Sequence, residues 1–196
     1  MSPRPYQLGQ RQAAVDATRQ KVLDAARALL ADPDGSAAFS LDAVARRADV
    51  ARATVYYRFE SRSGLLEALF DTLAANGRMA DLAGAFTHPD PAGALSRFVA
   101  CFGRFWASDR LVLRRIRAIA VLDPEVGAVI AARDERRRTG LRVLAGRFGA
   151  VGEDRVDVLH ALTSFETFDT LAGPGREPDE VIPLVTELVL RVMTGG

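Results

Sequence analysis

Among 196 residues the sequence has one cysteine, two histidines, one lysine and one tryptophan. A lone Cys101 excludes an internal disulfide framework and any site built on several thiolates, and His88 and His160 leave little for a histidine-rich metal centre. Neither a metal nor a cofactor is expected. Long hydrophobic runs are missing too: no unbroken apolar stretch approaches the roughly 18 residues that span a bilayer. The polar first dozen residues lack the apolar core of a secretory leader, so the expectation is a cytoplasmic protein with no membrane partner. Charge of one sign is absent, because 26 Lys and Arg stand against 25 Asp and Glu, for a formal net charge of +1. Any contact with nucleic acid must therefore come from a local basic surface. There is no nucleophile paired with a base and no phosphate-cradling glycine loop: Gly146, Gly149 and Gly152 have the wrong spacing, and Gly173-Pro174-Gly175 follows a helical segment, not a strand. No catalytic residue is assigned and the chain reads as a non-enzyme. What is present, 48% hydrophobic and 26% charged residues, is the balance of a globular protein and not of a disordered one.

The apolar periodicity is helical nearly throughout, which predicts an all-α fold with almost no sheet. A first helix is expected from about Gln12 to Ala31, with Val15, Val22, Ala26, Leu29 and Leu30 on its inner stripe, stopped by Asp32-Pro33-Asp34-Gly35. Ser40 is placed to cap a short second helix whose buried face is Leu41, Val44, Ala45 and Ala48. The turn Ala48-Asp49-Val50-Ala51 leads to a third short helix buried through Val55 and Phe59, and Ser61 or Ser63 opens a longer fourth. Beyond the connection Thr87-His88-Pro89-Asp90-Pro91, helices are expected at about Ala92 to Ala107, Arg110 to Leu122, Pro124 to Phe148, Glu153 to Leu171 and Asp179 to Met193. The predicted architecture is an N-terminal three-helix helix-turn-helix unit (residues 1–62, with its arm), joined by a fourth helix to a larger helical domain (63–196).

Two short helices around a four-residue turn, packed on a longer preceding helix, form a helix-turn-helix. Phe39 to Phe70, FSLDAVARRADVARATVYYRFESRSGLLEALF, goes further. With Ser40, Val44-Ala45, Ala48, Val50, Thr54-Val55-Tyr56, Phe59, Ser61-Arg62 and Leu65-Leu66 in order, it resembles the DNA-binding segment of the TetR family of bacterial regulators. By helix-turn-helix geometry, the outward residues near the start of the third helix meet base edges in the major groove. These are Arg52, Ala53, Thr54 and Tyr57, with Arg52 suited to a bidentate pair with guanine. The resemblance assigns Tyr56, Arg58 and Arg62 to the phosphate backbone, and Ser40 with its helix N-terminus is a further phosphate site. Arg4 and Arg11 form a possible minor-groove arm. The chain departs from the family pattern at Asp49, where glycine is common, at Ala51, which cannot cap the third helix, and at Arg62, which replaces a lysine. Asp42 shares a side with Ser40 and opposes close approach of a phosphate.

Phe86, Phe98, Cys101, Phe102, Phe105 and Trp106 concentrate the aromatic area, joined by Ile116 and Ile119 on the next helix. The pocket is assigned to Phe98, Cys101, Phe102, Phe105, Trp106, Ile116 and Ile119 as the lining of a largely apolar small-molecule site. The resemblance implies an effector there, whose binding changes the spacing of two DNA-reading units. Which of Arg114, Arg115 and Arg117 would face it, periodicity leaves open. Arg133 to Arg138 reads as a solvated face. The last two helices are apolar around much of their circumference, which suits a four-helix interface between identical chains through Leu159, Leu162, Phe165, Leu184, Leu188 and Val192. His160, Glu166 and Asp169 read as polar members of that interface or of the chamber wall. The expected function is a homodimeric regulator, a repressor released from a palindromic double-stranded DNA operator by an effector. The alternative is a helical dimer that binds a small molecule or a protein through a fold whose helix-turn-helix is inactive on DNA.

Overall fold

The computed structural model describes the backbone of residues 4–32 and 39–195, with side chains from Gln12 onward within those ranges. All regular structure among the described residues is helical. Helix α1 (Arg4–Ala31) begins earlier than the periodicity suggested, and it buries Val22, Leu23, Ala26 and Leu30. Val15 lies beyond the reach of the bundle and is exposed. Pro33, Asp34 and Gly35, expected to stop α1, lie outside the described residues, as do the side chains of Arg4 and Arg11.

Helix α2 (Leu41–Ala48) starts where the Ser40 hydroxyl accepts from the Ala43 amide at 3.2 Å, and it buries Leu41, Val44, Ala45 and Ala48. Asp49 ends it in the left-handed region at φ 50°, directing its own amide to Arg46 O and that of Val50 to Ala45 O. Aspartate is among the residues that tolerate this conformation best short of glycine. Helix α3 (Arg52–Phe59) has no side-chain cap, since Ala51 carries no acceptor, and it is held instead by the burial of Val55 and Phe59. Ser61 caps helix α4 (Arg62–Asn76) by accepting from the Gly64 amide at 3.0 Å. The core is continuous from α1–α3 through Leu65, Leu66, Leu69 and Leu73 of α4 into the rest of the chain. Gly77 closes α4 against a neighbour: a Cβ there would lie 2.6 Å from the Phe105 Cα, so the two backbones touch with no side chain between them.

A 3-10 turn (Met79–Leu82) and the short α5 (Ala83–Phe86) lead to α6 (Pro91–Ala107), which Asp90 caps, and then to α7 (Arg110–Leu122), capped by Asp109. Helix α8 (Pro124–Ala145) opens on Pro124 with Asp123 accepting from the Glu125 and Val126 amides. The helix expected over 153–171 is two, α9 (Glu153–Leu162) and α10 (Phe165–Ala172). The break is built by Ser164, which caps α10 through the Thr167 amide, and by donors that satisfy the carbonyls it frees. Trp106 Nε1 donates to Thr163 O at 3.1 Å, and Arg137 donates to His160 O at 2.6 Å and to Thr163 Oγ1 at 2.8 Å. A 3-10 turn (Pro178–Val181) precedes α11 (Ile182–Thr194), which packs on α6 and α9.

Glu153, in the first turn of α9, accepts from Arg142 and Arg138 of α8, and these bonds lower its pKa from the usual 4.5 to about 2. Because the folded value is the lower one, the unfolded chain binds the extra proton. The contribution of Glu153 is therefore complete above about pH 4.5 and lost as pH falls toward 2. Glu153→Gln is expected to flatten the acid limb of the Tm-against-pH curve over that window; an unchanged limb would show the pairing to be inert.

Candidate nucleic-acid interface and cavity

Helices α1, α2 and α3 pack so that α3 turns one face inward and the other to solvent. Tyr57 is 88% exposed and Tyr56 40%, with Arg52 and Ala53 exposed and Thr54 half-buried beside them. Arg52 is not loose. Its Nε pairs with Asp42 of α2 at 2.7 Å, its Nη2 donates to Tyr56 Oη at 3.1 Å, and its guanidinium lies 5.0 Å from the Tyr56 ring centroid. The Tyr56 hydrogen bond and the Asp42 charge raise its pKa, so it is always cationic. Ser40 is exposed at the start of α2, its hydroxyl committed to the Ala43 amide. Arg58 is half-buried, with an Nε lacking a hydrogen-bond partner. Arg62 departs most from a simple phosphate contact: its Nη1 donates to Asp123 Oδ2 at 3.1 Å, tying the first residue of α4 to the α7–α8 corner, where Ser63 also reaches Glu125. A second tie runs from α1 to α7, through Arg27–Asp109 and through Arg115, which donates to Leu30 O and Asp32 O.

Between α4, α6 and α8 lies a cavity of about 250 Å³. Phe98, Phe102, Phe105 and Trp106 line it, as expected of that stretch of α6. Cys101, Ile116 and Ile119 do not. Cys101 sits about 60° round α6 from Phe98 at 100° per residue, outside the arc of the other four. Its Sγ instead accepts from Arg104 at 3.3 Å, and burial raises its pKa. Ile116 and Ile119 are spent in the core beneath α7. The sequence reading missed Phe70 of α4, Met79 and Leu82 of the following turn, and Arg133, Asp134, Arg136, Arg137 and Gly140 of α8. The run from Arg133 to Arg138 is thus not simply a solvated face, since Arg137 is only 4% exposed. A signal was available: the buried stripe Val126, Ile130, Leu141, Leu144 passes through Arg137 at helical spacing.

Asp134 accepts from Arg137 Nη2 at 3.3 Å and from Arg117 Nη2 at 3.1 Å, and Arg117 also pairs with Glu166. Burial lowers the pKa of Arg137 despite Asp134. For Arg117 burial opposes the charge, but Asp134 and Glu166 prevail and the pKa is raised. His160, whose Nε2 meets Asp134 O at 3.1 Å, is held below its usual pKa by burial and by the Arg137 charge. Asp169 is lowered, against the effect of burial, by hydrogen bonds from Arg114 and Arg110. None of Arg114, Arg115 and Arg117 lines the cavity. On the last helices, Leu159 and Phe165 belong to the chain's own core at 0% and 3% exposure, because the inward face of α9 packs on α8 and α11 and that of α10 on α6. Leu184 is exposed, Leu162, Leu188 and Val192 are half-buried, and Val158 joins them on the outside of α9.

A helix-turn-helix fused through α4 to a larger helical bundle with an aromatic cavity defines the class, an all-helical helix-turn-helix protein. Residues 22–69, the helix-turn-helix and most of α4, match the profile described as bacterial regulatory proteins, tetR family. Similar solved structures extend the likeness beyond that segment. A transcriptional regulator from Rhodococcus sp. Rha1 is 21% identical with a TM-score of 0.67, covering 89% of this chain and 95% of its own. The TetR family regulator PfmR from Thermus thermophilus is 25% identical with a TM-score of 0.59, covering 87% and 97%. A regulator from Saccharomonospora viridis, solved in complex with choline, is 17% identical with a TM-score of 0.62, covering 89% and 96%. No curated protein sequence matches the chain significantly. Among the described residues no helix is long and apolar enough to cross a membrane.

Proposed function

We propose that the chain is a cytoplasmic, homodimeric transcriptional repressor that binds a palindromic operator and leaves it when a small molecule enters the cavity. The observation that carries this reading is the outer face of α3, where Arg52, Ala53 and the 88% exposed Tyr57 face solvent with the half-buried Thr54 beside them. Arg52 reads a guanine, exchanging Asp42 for the base edge, while Thr54 offers a methyl or a hydroxyl. Tyr56, Arg58, Arg62 and the N-terminus of α2 at Ser40 hold phosphates. Residues 1–62 serve DNA and 63–196 serve the effector and the second chain. The dimer forms through the outer faces of α9 and α11, with Leu162, Leu184, Leu188, Val192 and Val158 in place of the buried Leu159 and Phe165. Two-fold symmetry then sets the spacing of the half-sites.

The test is binding to DNA upstream of the chain's own coding region across a salt series, with Arg52→Ala beside the unchanged protein. Tight, salt-dependent binding is expected, with Arg52→Ala losing about 1–3 kcal/mol of discrimination at one position of each half-site. Binding no tighter than to random DNA would favour instead a small-molecule-binding dimer with an inactive helix-turn-helix.

A further inference from the structure

The cavity is one-sided in its chemistry. Three of its walls are aromatic or aliphatic, from Phe70 of α4 across to Phe98 and Phe105 of α6, whereas the α8 wall carries three guanidiniums and one carboxylate. The carboxylate is already committed, because Asp134 accepts from Arg137 through one oxygen and from Arg117 through the other. The guanidiniums are not used up. Arg137 is 4% exposed and directs Nη1 to His160 O and Thr163 Oγ1, yet its Nε is buried without a partner. The Nε of Arg133 is likewise buried and unpartnered, while its guanidinium lies 4.6 Å from the centroid of Phe70. Arg136, exposed at the same edge, has no ion pair among the described residues. Buried donors without acceptors cost free energy until an acceptor arrives, and charged ones most of all.

The present partners of Arg133 lie on another helix. Its Nη2 donates to Asp71 Oδ1 at 2.7 Å and stands 3.6 Å from Glu67 Oε1, both on α4. Those carboxylates are 62% and 50% exposed and do not line the cavity, so losing Arg133 would leave them solvated. Resting on the effector reading above, we infer that the cavity takes a small organic carboxylate with an apolar body, and that its carboxylate displaces Asp71 and Glu67 from Arg133. The body lies among Phe70, Phe98 and Phe105, and the carboxylate accepts from Arg133 and the free Nε of Arg137. Ligand and α4 compete for one cation, so binding removes the α8–α4 ion pair. A neutral analogue fills the cavity without taking Arg133, and a cation such as choline meets like charge.

Isothermal titration of the full chain with decanoate and phenylbutyrate, with their methyl esters and with choline, tests this without DNA. The acids are expected to bind about tenfold or more tightly than their esters, as charge-assisted hydrogen bonds imply. Arg133→Gln should abolish that preference while leaving ester binding, which also shows that the cavity is intact, and Arg133→Lys should restore part of it. Glu67→Gln with Asp71→Asn, which keeps every cavity-lining side chain, should bind the acids several-fold more tightly because the competitors are gone. Equal binding of acids and esters, preference for choline, no acid binding, or an unchanged preference in Arg133→Gln would each overturn the proposal. Failure to bind any operator would overturn the regulator reading and leave the acid preference standing.

Discussion

Trp106→Ala is expected to cost about 3–5 kcal/mol of stability, as large aromatic truncations in cores do. Trp106 is 2% exposed and has ring centroids around it at 4.5 Å (Phe105), 5.7 Å (Phe165) and 5.8 Å (Phe102). Truncation therefore removes contacts to α10 as well as along α6. It also strips Thr163 O of its donor at the break between α9 and α10. Trp106→Phe helps to separate the two effects, since it keeps an aromatic ring in the cluster while losing the N–H and part of the indole; about 1–3 kcal/mol is expected for the unsatisfied Thr163 O. Urea unfolding followed by circular dichroism gives both numbers without relying on the chain's one tryptophan for signal. A loss below about 1.5 kcal/mol for the alanine variant would mean that the aromatic cluster repacks freely and that the ring contacts of Trp106 are replaceable.

Asp134→Ala should be nearly as damaging, at about 3–5 kcal/mol, for an electrostatic reason. Arg137 is buried and Asp134 is its one carboxylate partner among the described residues; without it, a desolvated guanidinium faces two acceptors that carry no charge. Arg117 fares better, because Glu166 still reaches it. Combining Asp134→Leu with Arg137→Met removes both charges and should recover part of the loss, as replacing a buried ion pair by apolar groups often does. Thermal and urea unfolding of the single and double variants check this, and a double variant less stable than the sum of the singles would refute it.

The helix-turn-helix was legible in the sequence because it is local: Ser40, Asp49 and Ser61 act on backbone within three residues of themselves, and the inward faces of α2 and α3 follow from helical spacing. The break at Thr163 was not, because nothing near it in sequence forces it. It exists since Trp106 and Arg137, 57 and 26 residues away, supply donors to the freed groups. The cavity was half legible for the same reason. Aromatic residues on one arc of α6 announced a wall, but the facing wall is polar, and a run of arginines resembles a surface until Arg137 is placed on the stripe of Ile130 and Leu141. Leu159 of α9 and Phe165 of α10 were assigned to an interface but belong to the chain's own core, because apolar periodicity alone does not tell a face buried by its own fold from one left for a partner.

The contact at Gly77 makes the far end of α4 a fulcrum. With no side chain between Gly77 and the Phe105 backbone, that end has nothing to compress, whereas the opposite end is held by the exchangeable Arg62–Asp123 pair. At about 1.5 Å per residue, Phe70 stands roughly 10 Å from the pivot and Arg62 roughly 22 Å. Were α4 to turn there as a rigid rod, the lever arms would be in a ratio of about one to two: a push of about 1 Å against Phe70 would sweep the Arg62 end through about 2 Å. The wall of the cavity is the short arm, and α2 and α3 ride on the long one.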